Sequence, residues 1–182
     1  LTALGTLGML AAAYYAYKKK KLQKRGNFAG LDGEGDAELT RVAFTSRWVA
    51  AERHLEHTRD DALFSDPLAA YLGGDSGLAF SHKIKQKLPW ENYHVTWMAI
   101  RTRYIDDRVT SYFAQTPNAQ YVNLGSGLDA RVYRLDVFAK ARAAFEIDVP
   151  EVVAAFNRAI TAHDSASALC PRVSPSVDLT VP

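Results

Sequence analysis

Tyr121-Val122-Asn123-Leu124-Gly125-Ser126-Gly127 decides the fold. A short run of strand-forming residues passes directly into two glycines one residue apart, the pattern of a strand that ends in a tight turn. Gly125 permits the turn, and Gly127, with no side chain, lets a ligand lie against backbone amides at the start of a following helix. Roughly 20 residues further on, Asp148 closes a second strand-like run over 143–148, where a carboxylate accepts hydrogen bonds from both hydroxyls of a ribose. Together these features predict a nucleoside-containing ligand over the carboxyl ends of two parallel strands.

Outward from this centre the pattern continues. Pro150 opens a helix over 151–162, and residues 172–179 read as a third strand. Strand, helix, strand, helix, strand at this spacing implies an α/β architecture with a parallel, doubly wound sheet. The chain before it is helical. Residues 38–58 carry Val42, Val49 and Leu55 at helical spacing. Ser65-Asp66-Pro67 caps a second helix that runs through Leu72 and is closed by Gly73-Gly74, and residues 90–113 read as a third. The expected organisation is a helical lead-in over 38–118 and an α/β domain over 119–182, with no internal repeat.

Spacing alone does not choose the ligand. Gly125, Gly127 and Ala130 also satisfy the dinucleotide fingerprint, which keeps an NAD(P)-dependent oxidoreductase as a competing reading. Two features count against it. A dinucleotide-binding domain usually opens with this strand, whereas here a long helical region precedes it, and the turn is followed by Asp129 and Arg131, charges that no pyrophosphate cradle requires.

The run Val122-Asn123-Leu124-Gly125-Ser126-Gly127-Leu128-Asp129-Ala130-Arg131, followed by Tyr133-Arg134-Leu135 and by Phe145-Glu146-Ile147-Asp148-Val149-Pro150-Glu151-Val152, closely resembles the leucine carboxyl methyltransferase family and its bacterial relatives. Upstream, Thr45-Ser46-Arg47, the stretch Leu63-Phe64-Ser65-Asp66-Pro67-Leu68-Ala69 and Arg101-Thr102-Arg103-Tyr104-Ile105-Asp106-Asp107 resemble the same family's helical lead-in, so the likeness covers residues 40–180. The resemblance implies a Rossmann-like class I methyltransferase fold, present here as the lead-in and the first three parallel strands. It implies S-adenosyl-L-methionine as cofactor, with Gly125 and Gly127 at its amino-acid end and Asp148 on its ribose. Arg101 matches the arginine that pairs with the cofactor carboxylate, a task suited to the bidentate guanidinium, and Arg103, two residues on, is the alternative. Asp178 and Leu179 resemble the acid and the neighbouring amide that read the adenine; Arg47 is a weaker match. The implied reaction moves a methyl group to an oxygen, a carboxylate of a small molecule or protein, and the resemblance names no catalytic residue. The family's sheet has seven strands, so three readable strands and a first residue of Leu1 lead to the expectation of a front portion lacking the substrate-binding half.

Residues 1–17 contain no charge and would form a helix of roughly 25 Å, slightly short of the ~30 Å hydrocarbon core of a bilayer. Tyr14, Tyr15 and Tyr17 sit where an interfacial belt belongs, and Lys18 to Lys21, Lys24 and Arg25 follow on one side. The expectation is a hydrophobic anchoring helix over 1–17 that holds the remaining chain on the cytosolic side, joined by a basic and then glycine- and acid-rich linker over 18–37. A non-catalytic, membrane-tethered binding module is the corresponding third reading. A cleaved signal peptide would carry its charges before the apolar run.

Composition narrows the remaining classes. With 22 basic and 20 acidic residues in 182, net charge +2 and 48% hydrophobic residues, the chain is globular and lacks the overall basic field of a nucleic-acid binder. Lys83, Lys85 and Lys87 have no interleaved stacking aromatics, which also argues against nucleic acid. Asp32, Glu34 and Asp36 imitate a calcium loop, but Ala37 and Ala43 stand where its glycine and last glutamate belong. His54 and His57 have metal-compatible spacing without a third ligand nearby, so no metal is expected. Trp90, Tyr93 and Trp97 read as core packing, and Cys170, before Pro171, has no adjacent base.

Overall fold

A computed structural model describes residues 41–87, 93–163 and 166–179; the expected anchoring helix and linker, with Trp90, lie outside the described residues. Three helices come first: α1 (Arg41–His57), α2 (Ala69–Lys87) and α3 (Tyr93–Gln115). They lead into β1 (Gln120–Leu124), the short α4 (Arg131–Arg134), a 3-10 turn (Asp136–Lys140), β2 (Ala143–Ile147), α5 (Pro150–Thr161) and β3 (Arg172–Val173). The strands form one parallel sheet in the order β1-β2-β3, with Tyr121 opposite Ala144 and Phe145 opposite Val173. Helices on a three-stranded parallel sheet fit a Rossmann-like methyltransferase fold.

Three element readings change. Asp66 does not cap α2 with its side chain, because its carboxylate takes Arg53; the helix instead starts at Ala69, whose N–H donates to the Asp66 carbonyl at 3.1 Å. Gly74 does break the helix, with φ 60° in the region that favours glycine, but the chain then resumes as helix to Lys87. That second stretch survives because Phe80 and Ser81 bury against α1: Phe80 meets the rings of Phe44 and Trp48 edge-on, and Ser81 donates to Glu52 at 2.7 Å. β3 stops at Val173 rather than Leu179, since Pro175 has no N–H for the ladder, and only an isolated bridge between Asp148 and Ser176 continues the pairing.

The alternation of the strands explains where the core sits. Tyr121, Ala144, Glu146 and Arg172 share one face, and the helical elements pack there. Phe138 is fully buried between Phe113 of α3 and Tyr121, at ring distances of 5.4 and 5.0 Å. Arg172 pairs with Glu146 and lies over the Phe156 ring at 4.4 Å, which ties β3 to β2 and α5. A second cluster joins Leu68 and Leu72 to Leu128, Ala130, Val152 and Phe156. The opposite sheet face is bare among the described residues, with Val122 56% and Leu124 63% exposed. The second helical layer of a doubly wound sheet is therefore not seen here. The order runs one way across the sheet, and right-handed crossovers taken in one direction place their helices on the same side.

Helices α1 and α2 approach closely enough to require small residues. A Cβ on Gly77 would lie 2.7 Å from the Arg47 carbonyl oxygen, whereas one on Gly125 would meet nothing within 4 Å. Gly77→Ala should therefore lower unfolding stability in urea by about 1–3 kcal/mol. Gly125→Ala, which incurs only the left-handed backbone cost, should lose about 1–2 kcal/mol.

Candidate functional site

The site begins where β1 runs out. The N–H groups of Gly125 and Ser126 both donate to the Ile147 carbonyl, at 2.9 and 3.1 Å, so the turn after β1 is fastened to the end of β2. Gly125 and Gly127 have φ of 64° and 57°, values that favour glycine. Asp148 follows at once: one carboxylate oxygen accepts the Gly127 N–H at 2.6 Å and the other its neighbour Val149 N–H at 2.8 Å. The sequence expectation is a ligand against the amides at the start of a helix after Gly127. Only the four residues of α4 are helical there, and the Gly127 amide already has a carboxylate partner.

Beside this turn lies a cavity of about 280 Å³, just under the roughly 300–1,000 Å³ range of small-molecule sites. Helix α1 contributes Thr45, Val49 and Arg53, four residues apart and so on one face, together with Ser46. Helix α3 contributes Met98, Arg101 and Thr102, and the remaining wall is the glycine turn, Asp129, Arg131, Asp148 and Val152.

A buried chain of charges fixes these walls together. Arg53 donates to Asp66 at 2.8 Å and to the Leu128 carbonyl at 2.6 Å, holding α1 against the glycine turn. Asp106 on α3 receives Arg131 at 2.6 Å and Arg134 at 2.7 Å, and Arg134 also lies 3.6 Å from Asp66. Arg131 pairs in addition with Asp129, which accepts from Asn123 at 3.2 Å and from the Arg131 N–H at 2.9 Å. Burial alone would raise the Asp129 pKa, but Arg131 and Arg53 outweigh it and hold the carboxyl below its ordinary value. Burial would likewise lower Arg131, and Asp129 and Asp106 reverse that, raising it. Tyr121 is pushed up by burial and by Asp129.

Of the residues singled out in the sequence, Arg101, Gly125, Gly127 and Asp148 come together on the cavity. Arg103 does not. It pairs with Asp107 at 2.9 Å and donates to the Leu63 carbonyl at 2.9 Å, away from the cavity lining. Arg101 Nη1 lies 3.5 Å from the Met98 sulfur, and no carboxylate among the described residues engages it. Asp178 and Leu179 are exposed and do not line the cavity, although Val177 just before them donates to the Asp148 carbonyl at 2.8 Å. Arg47 lies beside Gly74, outside the lining. His57 accepts the Asp66 N–H at 3.3 Å, and Trp97 is exposed rather than core. Burial, then Glu146, push the Cys170 thiol up. Sequence reading missed Thr45, Val49 and Arg53, for which the fourfold spacing was the available signal, and Met98 with Thr102 on α3.

A family model described as leucine carboxyl methyltransferase matches residues 46–181. Similar proteins include a Mycolicibacterium paratuberculosis protein named "Putative S-adenosyl-L-methionine-dependent methyltransferase", 36% identical over 82% of this chain and 52% of its own length. Relatives of the same description from Mycobacteroides abscessus and Frankia alni are 30% and 32% identical, over 85% and 81% of this chain and 51% and 52% of theirs. The chain spans about half the length of the curated relatives it matches.

The depressed Asp129 pKa gives the ion chain a pH signature. A carboxyl whose folded pKa lies below its unfolded value contributes stability in full above the ordinary aspartate range and loses it as the pH falls through the folded pKa. The urea midpoint of the wild type should therefore exceed that of Asp129→Asn at neutral pH, with the two curves converging as the pH falls below the ordinary aspartate range.

Proposed function

Since the chain belongs to the leucine carboxyl methyltransferase family, we propose that it binds S-adenosyl-L-methionine in the cavity at the ends of β1 and β2, and that the protein methylates an oxygen, the carboxylate of a small molecule or protein. The observation that carries this reading is the convergence of Arg101, the glycine turn and Asp148 on one cavity. The residues present fit the group chemically. Arg101 offers a guanidinium to its carboxylate, Asp148 an acceptor to its ribose hydroxyls, and Val49, Met98 and Val152 an apolar wall for its uncharged parts. Asp178 and Leu179, just beyond the Val177–Asp148 contact, are the proposed adenine readers.

When bound, the cofactor supplies an electrophilic methyl group on a sulfonium. A carboxylate nucleophile is already anionic and the leaving thioether is neutral, so the chain's residues bind, orient and exclude water rather than move protons. A dinucleotide is the weaker fit. Its pyrophosphate needs the aligned amides of a helix start, and α4 has four residues, with the Gly127 N–H already given to Asp148. Titration with S-adenosylhomocysteine and with NADH separates the two; binding of NADH alone would overturn the reading.

Membrane attachment through residues 1–17 remains part of the proposal, supported by the uncharged run, the tyrosines and the basic cluster. No helix among the described residues is long and apolar enough to cross a membrane. The protein carrying this segment should stay with membranes in high salt and be released by detergent; release by salt alone would refute the anchor.

Within the cavity, Asp148→Ala should weaken S-adenosylhomocysteine binding by on the order of 1.5–3 kcal/mol for each charge-assisted bond lost, and Arg101→Ala by a similar amount. Arg103→Ala and Arg47→Ala should cost less than either. Isothermal titration of the folded variants checks the order, and unchanged affinity in Asp148→Ala would refute the ribose assignment.

A further inference from the structure

The amino-acid end of the proposed cofactor is a zwitterion, so a site that takes it must answer an ammonium as well as a carboxylate. Removing an ammonium from water without a charged acceptor is costly. Among the residues that line the cavity, the carboxylates are Asp129 and Asp148. Asp148 stands at the end of β2, next to the start of α5, and each of its oxygens accepts a backbone N–H. Asp129 is tied through Arg131 to Asp106, one turn of α3 beyond Thr102, which lines the cavity beside Arg101. Arg101 and Asp129 both line this one cavity, which thereby offers a charge to each end of the zwitterion.

The hydrogen bonding of Asp129 leaves room for a ligand. Its Oδ2 takes the Arg131 guanidinium and the Asn123 amide, whereas Oδ1, among the described residues, takes the Arg131 N–H alone and keeps a second acceptor position. A purely structural partner of Arg131 would not need to reach the cavity, and Asp106 already gives that guanidinium a carboxylate at 2.6 Å. Asp129 nonetheless lines the cavity, with 12% of its side chain accessible. We infer that Asp129 receives the α-ammonium group of the cofactor, an assignment that rests on the reading of this cavity as a S-adenosyl-L-methionine site.

The test compares two ligands on two proteins. S-adenosylhomocysteine and the analogue in which hydrogen replaces its α-amino group are titrated into the wild-type chain and into Asp129→Asn. The wild type should bind the amino-bearing ligand at least tenfold more tightly. Asp129→Asn should erase that preference, weakening S-adenosylhomocysteine about tenfold and leaving the analogue within twofold. Equal losses for both ligands would mark Asp129 as structural only and overturn the assignment, as would equal wild-type affinities. Should Asp129→Asn not fold, Asp129→Glu carries the comparison, because it keeps the charge and displaces it by one methylene: a changed preference supports the assignment and an unchanged one overturns it. Failure of the wild type to bind either ligand would instead overturn the proposed function.

Discussion

Asp106 is the hinge pin of the structure: one buried carboxylate on α3 that holds two arginines, Arg131 and Arg134, from the segment after β1. Once these groups are buried each charge has to be met, because desolvation costs several kcal/mol per ion and removing one partner leaves that cost uncompensated. The chain closes the set with three aspartates and three arginines, running from Asp129 through Arg131, Asp106, Arg134 and Asp66 to Arg53. Apolar contact would bring α1, α3 and the glycine turn together in many similar ways. The fixed fork geometry of guanidinium groups selects one.

That selection is what makes a cavity. Its walls come from α1, α3, the turn after β1 and the end of β2, segments far apart in sequence, and the ion chain joins three of them directly. The fourth is joined by backbone, through the Ile147 carbonyl and the Asp148 carboxylate. Arg53 shows how support and site are shared: it lines the cavity while bonding Asp66 and the Leu128 carbonyl.

Local chemistry was legible in the sequence and distant partnership was not. The strand, glycine turn and second strand from Gln120 to Asp148 are set by short-range signals: β-branched and aromatic residues, two glycines with positive φ, and a proline that opens α5. Pro175 was equally visible, yet its effect on β3 depended on the ladder around it, and residues 174–179 read as strand until the pairing showed otherwise. Asp66 looked like a helix cap by the same local logic; its capture by Arg53, thirteen residues earlier, is tertiary. The choice between Arg101 and Arg103 was beyond any periodicity argument, because residues two apart lie on different helix faces and only the position of α3 against the turn says which face meets the cavity.

The distribution of charge around the cavity also bears on the kind of chemistry it suits. Among the described residues no histidine lines it, and the acids and bases that do are held by one another or by backbone, with Arg101 the cation that no described carboxylate engages. Groups fixed in this way are poor proton carriers: Arg131, raised by its two aspartates, and Asp129, lowered by its arginines, keep one protonation state across the physiological range. They are good binders, because a dipole or charge that is already oriented by the fold loses nothing further when a ligand arrives. A reaction with an anionic nucleophile and a neutral leaving group asks for that kind of site. The same rigidity that the buried ions impose on the walls is then the property on which orientation of the reacting atoms depends.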